Sequence, residues 1–431
     1  MSNLTVDPRG RKTGGRERIA IVGSGISGLT AAHLLSPVHE VTLFEAGGRI
    51  GGHTNTVSVD LDGERQEVDT GFIVYNERNY PNFTRLLANL GVETQPTDMG
   101  FSVRCDATNL EYNGSSLNRM FIQRRNLVRP RFLRMVRDIL RFNREAKERL
   151  PDLDESTTVD DWVRERGFGA GFVEHYLVPM GAALWSSPPE TFRRFPIRFV
   201  IEFFANHALL DLRGRPEWRV ISGGSNRYVE ALTRPFADRI RISTPVRSVR
   251  RTGDTVHLTA ADGTEDRFDH VIFACHSDQA LRILADPSET ERELLGAFPY
   301  QANEAILHTD PSVLPRRRPA WASWNYHLPA DRPDRATVTY HMNQLQSLDS
   351  KHEFMVTLND AEGIDPDRII QKILYHHPVF TAGRTAAQAR HVELIDTNRT
   401  SYCGAYWGYG FHEDGVRSAL RVASVFGRTL A

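Results

Sequence analysis

Lysine is nearly absent from this chain of 431 residues: Lys12, Lys147, Lys351 and Lys372 are the only four, so arginine supplies 49 of the 53 cations. None lies between Lys147 and Lys351, which removes lysine chemistry from the middle of the chain. Cysteine is as scarce. Cys105, Cys275 and Cys403 are far apart and form no CxxC pair, which argues against a disulfide framework or a thiolate zinc site and fits a reducing compartment. No run of 18 apolar residues occurs, so no bilayer-spanning helix is expected. Residues 1–17 are polar and basic without the apolar stretch of a signal peptide, and read as a disordered arm. A formal net charge of −1 gives nucleic-acid binding no support. His376-His377 and the other histidines lack HExxH-like spacing, so no metal site is expected. Gly223-Gly224-Ser225 is not a GxSxG turn, which leaves triad hydrolysis without its nucleophile.

What is present centres on one glycine motif. The apolar runs at 19–22 (IAIV) and 41–44 (VTLF) flank a helical pattern at Ile26–Leu35, a βαβ unit of the usual length. Between the first strand and the helix stands Gly23-Ser-Gly25-Ile26-Ser27-Gly28, a GxGxxG in register. Its glycines allow a tight turn, close approach of a pyrophosphate and close helix–strand packing, and the helix N-terminus offers amide donors. Glu45 ends the second strand 17 residues after Gly28, where an acid accepts ribose hydroxyls. Asp62-Gly63 and Asp262-Gly263 signal hairpins at 56–69 and 256–275, with DHVIFAC as a buried strand within the second. A helical pattern from Gly415 to Leu430 closes the chain. The chain is long enough for two domains.

The residues that follow, Glu45-Ala46-Gly-Gly-Arg49-Ile-Gly51-Gly52-His53-Thr54, read ExxxRxGGxT. This resembles the second signature of the flavin amine oxidase superfamily, which includes phytoene desaturases and protoporphyrinogen oxidases. Asp69-Thr70-Gly71 resembles that family's D-x-G beside the isoalloxazine ring, and Val246 sits where the family places a backbone contact to adenine. Gly404 to Ser418 (GAYWGYGFHEDGVRS) resembles the C-terminal flavin segment, whose helix N-terminus faces the ring. The resemblance implies an α/β fold: an FAD-binding Rossmann-like domain of the glutathione-reductase type (18–75, 225–285, 395–431) with an interleaved α+β substrate domain (76–224, 286–394). It implies FAD as cofactor, held by Gly23, Gly25, Ile26, Ser27, Gly28, Glu45, Ala46, Arg49, Gly51, Gly52, His53, Thr54, Gly71, Val246, Gly404, His412, Gly415 and Val416. Three departures stand out. The family usually has arginine at His53 and often an acid at Ala405, and the GFHEDGV loop is one residue longer.

Only one strand-GxGxxG-helix occurs, so no separate nicotinamide domain is expected; hydride passes to FAD, and oxygen, a quinone or another carrier reoxidises it. The family's amine oxidases carry a lysine that holds a water near the flavin; FPYQANEAILHTD occupies its expected place here without one. That demotes amine oxidation and favours desaturase-like dehydrogenation. YLVPMGAALWSS, FFANHALLDL, WRVISGGSNRYVEAL and HMNQLQSL resemble a narrower subfamily of bacterial predicted NAD/FAD-binding proteins associated with fatty-acid-modifying methyltransferases. This implies a fatty-acyl or other lipid substrate and a partner methyltransferase. The alternatives are an amine oxidase lacking the usual lysine, an FAD-dependent double-bond isomerase, and a non-catalytic flavin-binding partner of the methyltransferase. From Arg119 to Arg149 eleven Arg/Lys interleave with apolar residues at helical spacing, either a surface helix packed on the core or a contact to an anionic membrane. A cytoplasmic location, or a peripheral one on the inner face of the cell membrane, follows. Asn343, Tyr326 and Phe411 are the candidate catalytic residues, with Trp324 beside them.

Overall fold

Strand Arg18–Val22 lies at the centre of a five-stranded parallel sheet, ordered 400–402, 270–273, 18–22, 40–44, 240–241. Ile19, Ala20 and Ile21 are wholly buried, as a continuous apolar run must be when both faces of a parallel sheet are covered. The computed structural model describes residues 15–430 except 155, 186–187, 212–213, 215, 331–336, 380 and 382. Residues 1–14, most of the expected arm, lie outside the described residues.

One face of the sheet carries helix Ile26–Leu35, and helix His412–Ser424 packs on that helix. Gly415 makes this possible: a Cβ there would lie 2.7 Å from Ile26 Cγ2 and 2.9 Å from Ser27 Oγ. The C-terminal helix ends at Ser424 rather than continuing to Leu430, because Gly427 turns left-handed and Arg428 N–H closes onto the Ala423 carbonyl at 3.1 Å. The other face carries a three-stranded antiparallel layer, 246–252, 255–260 and 265–268. The run read from sequence as one strand to Cys275 breaks at Asp269. Its amide donates to the Arg18 carbonyl and its carboxylate accepts the Arg18 amide, both at 2.8 Å, which turns the chain from that layer into the parallel sheet.

The second domain is a seven-stranded sheet, ordered 369–378, 300–308, 355–358, 337–341, 324–328, 101–105, 110–113, antiparallel except where 324–328 meets 101–105. Helices between Pro130 and Asn206 cover it through an aromatic core that includes Phe142, Trp162, Phe172, Phe203 and Phe204. Two helices assigned by sequence to this domain pack on the first. Pro81–Leu90 buries Phe83, Leu86 and Leu87 beside Ile26–Leu35, and Glu289–Gly296 buries Leu294 and Leu295 behind the antiparallel layer. Glu413 fixes the first of these by accepting the amides of Asn82 (3.1 Å) and Phe83 (3.0 Å) at its N-terminus.

Asp69 fastens the domains together. Fully buried at the end of hairpin 56–69, its carboxylate accepts Ser225 N–H (2.9 Å), Ser225 Oγ (2.7 Å), Thr56 Oγ1 (2.6 Å) and Gln346 Nε2 (3.2 Å). Burial nevertheless pushes its carboxyl up to about 6, the donors offsetting only part of the desolvation. Asp69→Ala leaves those donors unpaired and is expected to destabilise the chain by about 2–4 kcal/mol. Urea unfolding followed by far-UV circular dichroism reads this; an unchanged midpoint would remove Asp69 as the fastener.

Candidate active site

At the end of strand 18–22 the backbone forms a cradle from two glycine loops. Gly51 N–H donates to the Ser24 carbonyl at 3.0 Å, and a Cβ on Gly52 would come within 2.9 Å of Gly25 Cα. The space in front of Gly25 is open by contrast: no atom lies within 4 Å of a Cβ built there, and Gly25 lines the large cavity. A diphosphate fits that space, at the N-terminus of helix Ile26–Leu35. Glu45 lines the same cavity and accepts Ser24 N–H (3.0 Å) and Gly47 N–H (2.8 Å), which hold the carboxylate at the rim where a ribose would lie. Ala46, Thr244, Pro245 and Val246 continue this end of the cavity.

Gly23, Gly25, Ile26, Ser27, Glu45, Ala46, Gly51, Gly52, His53, Gly71, Val246, Gly404 and His412 all line the cavity; Gly28, Arg49, Thr54, Gly415 and Val416 do not. Arg49 is expected from sequence to offer a cation to phosphate. Its guanidinium instead donates to the carbonyls of Thr54 (2.9 Å) and Gly52 (2.8 Å), so it shapes the second glycine loop from outside. Thr54 Oγ1 is spent on Tyr228 OH and His412 Nε2, and the latter, 3.0 Å away, also meets Tyr228 OH at 3.1 Å. The His412 ring stacks on Phe72 with centroids 3.6 Å apart, and burial holds its imidazole well below the usual range. Gly415 and Val416 serve helix packing.

Between cradle and second domain lies a group of histidines that are distant from one another in the sequence. His53 stacks on Tyr375 and meets His377, both at 5.1 Å, while His276 stacks on Tyr300 at 4.3 Å. Asn303 Nδ2 donates to His377 Nδ1 at 2.8 Å, since Asn303 Oδ1 already accepts from Asn359. Desolvation, reinforced by neighbouring histidines, lowers His53 and His377 to about 3 and His276 to about 4. These imidazoles are therefore neutral at neutral pH. Nε2 of His53 is buried without a hydrogen-bond partner among the described residues. No group of three or more His, Cys, Asp or Glu among the described residues has metal-holding geometry.

Past Gly71 and Phe72 the cavity, about 1080 Å³ in all, runs into the second domain between Tyr112, Tyr176, Met180, Trp185, Trp324 and Tyr340. Trp324 and Tyr340 are register partners on adjacent strands and form a T-shaped pair at 5.2 Å. Phe411, the N-cap of the last helix, lines this chamber and stacks on Phe203 at 5.1 Å. The other two candidate catalytic residues stand elsewhere. Tyr326 is buried beneath the helical layer, two residues beyond Trp324. Asn343 clasps its own loop, donating to the His352 carbonyl (2.8 Å) and accepting Phe354 N–H (2.7 Å). Tyr340 enters the wall as the cross-strand partner of Trp324, a placement that needs the register and is not marked by any motif. Among the described residues the cavity has no lysine in its wall, and its acids are Glu45 and Glu217.

The neutral histidines have a consequence for stability. A histidine whose folded-state pKa is depressed binds its proton more readily when unfolded, so it stabilises the fold above about pH 6.5 and progressively less below. His53, His207, His276 and His377 line the cavity with values of about 3 or 4, so each withdraws about 1.4 kcal/mol per pH unit below that point. Asp69 and Asp414, raised to about 6, act in the opposite direction but are fewer. A steep fall in melting temperature between pH 6.5 and 5 is expected by differential scanning fluorimetry. A flat profile would show that these rings titrate normally.

Residues 26–425 match the model of the family "Flavin containing amine oxidoreductase". The carotenoid phi-ring synthase of Streptomyces griseus is 28% identical over 334 residues, 72% of this chain and 61% of that protein, so the match spans about three fifths of that relative's length. Among solved structures, putrescine oxidase bound to putrescine is 14% identical with a TM-score of 0.67, covering 96% of this chain and 99% of that one. The CLA-producing fatty acid isomerase from P. acnes is 16% identical with a TM-score of 0.68, covering 95% and 98%. At these identities the solved structures establish the fold, and the family match supplies the kind of cofactor. The chain belongs to the flavin-containing amine oxidoreductase family, FAD-dependent oxidoreductases, and FAD is its cofactor.

Proposed function

We propose that this protein removes hydride from a hydrophobic, acyl-type substrate held in the aromatic chamber, a desaturase-like dehydrogenation. The observation that carries this reading is the chemistry of the chamber wall. Tyr112, Met180, Trp185, Phe203, Trp324 and Tyr340 offer apolar surface. The wall has no lysine to hold a water, and the three histidines of lowered pKa beside it are neutral. A cationic amine would find only Glu217, already paired with Arg219 at 2.7 Å, whereas an alkyl chain needs no partner on entry. Two of the similar proteins are named for a carotenoid and for a fatty acid, and this supports the same class.

FAD supplies the hydride acceptor when bound. Gly25, Gly52 and Glu45 would hold its dinucleotide part, and the N-terminus of helix His412–Ser424 opens onto the same cavity through Phe411 and His412. The chain's own contribution is otherwise steric and dielectric. Trp324, Tyr340 and the Phe203–Phe411 stack orient a chain and exclude water.

Anaerobic mixing of the yellow holoprotein with fatty-acyl lipids and, separately, with amines tests this reading. Bleaching of the flavin band at about 450 nm by lipids alone supports it; bleaching by amines alone would overturn it. Solvent-deuterium incorporation into a lipid whose double bond has moved, without lasting bleaching, would assign isomerisation instead. Trp324→Ala is expected to slow bleaching by the active lipid about tenfold through lost contact area, with bound FAD unchanged. Gly25→Val fills the space in front of the cradle and is expected to weaken FAD binding at least about 100-fold while the fold persists. Flavin fluorescence titration and circular dichroism read the two effects; a variant that still binds FAD tightly would move the cofactor elsewhere.

A further inference from the structure

Helix Pro130–Arg149 forms part of the cavity wall, with Ile139 and Asn143 lining it and Met120 contributed from the segment just before. Its inner face is spent on the core, since Phe132, Met135, Ile139, Phe142 and Ala146 are buried there. Ordinary core packing therefore accounts for one face and leaves the outer one unexplained. Of the nine large hydrophobic residues exposed among the described residues, five fall within the short stretch 117–140: Leu117, Leu127, Val128, Leu133 and Leu140. Val128 is 81% exposed and Leu117 is 78% exposed. Leu133 and Leu140 stand seven residues apart, on one flank of the helix, with Arg137 and Arg144 beside them.

The charge around these side chains is of one sign. Between Gly114 and Arg144 the exposed residues include Arg119, Arg124, Arg125, Arg129, Arg131, Arg134, Arg137 and Arg144, and Asp138, the one acid of that span, is buried. Arg134 is paired with Asp138 at 3.8 Å, but Arg129, Arg131, Arg137 and Arg144 make no ion pair among the described residues. Exposed leucines ringed by unneutralised arginines match an anionic bilayer, whose headgroups take the cations while its acyl region takes the apolar tips. An acidic protein or a nucleic acid would satisfy the arginines and leave Val128 and Leu117 in water. No helix among the described residues is long and apolar enough to cross a membrane, so the attachment would be to one leaflet.

We propose that residues 117–144 form a docking surface for an anionic lipid bilayer, set against the wall of the chamber so that a lipid leaving the leaflet reaches the cavity beside Met120 and Ile139. The docking itself goes beyond the dehydrogenation reading and does not depend on it, because the vesicles used to test it need not contain a substrate. The FAD-loaded protein is mixed with vesicles of phosphatidylcholine alone or with 40% phosphatidylglycerol (an experimental composition of about the anionic content such surfaces carry) and sedimented. Strong binding to the anionic vesicles, weakening as salt is raised, is expected. Exchanging Arg129 and Arg137 for glutamine should lower the partition about 25-fold, roughly fivefold per cation. Leu127→Asp with Val128→Asp should abolish it at every salt concentration, and flavin absorbance with circular dichroism should stay unchanged, since both positions are solvent-exposed. Failure of the wild type to sediment with anionic vesicles overturns the proposal. So does full binding by the Leu127→Asp, Val128→Asp variant, which would reduce the surface to a generic polycation. Capture of a soluble acidic protein in preference to vesicles would overturn it as well.

Discussion

The site depends on how closely two stretches of backbone approach each other at Gly25 and Gly52. A single methyl at Gly52 would meet Gly25 Cα, so the turn after the first strand and the loop after the second can form one cradle only as glycine. Arg49 holds that approach from behind through two carbonyls, and Gly51 N–H ties it to Ser24. Three donors and three acceptors are thereby consumed in shaping a surface rather than in touching a ligand. The same economy recurs at Gly415, where loss of a side chain lets the last helix lie against Ile26 and carry Phe411 and His412 to the cavity.

This arrangement explains which parts of the molecule could be read before the structure. The parallel sheet, hairpin 56–69, the glycine cradle and Glu45 follow from local rules: strand composition, a turn dipeptide and a helix N-terminus each have few alternatives. Arg49 shows the limit of a motif. Its position in ExxxRxGG identifies the loop but not which way the guanidinium faces, because that is decided by carbonyls whose positions depend on the loop itself. Asn343 and Tyr326 stand out in the sequence as a polar and an aromatic residue in strand-like segments. Whether such a residue faces a cavity or a core is set by contacts distant in sequence, here the helical layer over Tyr326 and the loop closed on Asn343. Trp324 and Tyr340 reach the chamber because they are cross-strand partners, a fact that becomes visible only once register is known. Boundaries failed for a similar reason: helices Pro81–Leu90 and Glu289–Gly296 are amphipathic, and nothing local says which sheet their apolar faces will cover.

The substitution of histidine for the family's usual arginine at position 53 acquires a physical setting as well. An arginine here would bring a permanent charge into a pocket already occupied by His276, His376 and His377, with Arg49 close enough to depress the ring. Histidine can lie flat against Tyr375 and remain neutral, which desolvation enforces. His53 is thus held by ring contacts to Tyr375 and His377 of strand 369–378, which form its local setting.

Taken with the scarcity of lysine, this gives the protein a sharp polarity gradient. Its cations are concentrated on outer surfaces such as residues 117–144, while among the described residues the cavity wall holds one arginine, Arg282, and the imidazoles of His276 and His377 that burial discharges. A cationic substrate would face desolvation in the aromatic chamber and would have to compete with Arg219 for Glu217, and the desolvation cost grows with every aromatic ring that replaces water. An alkyl chain faces no such cost, and it gains from the same rings. On the proposed reading, the selectivity of the chamber lies in what its described wall withholds: it has no lysine, and its acid Glu217 is paired with Arg219, so charge is disfavoured more strongly than the aromatic contacts distinguish among hydrocarbons.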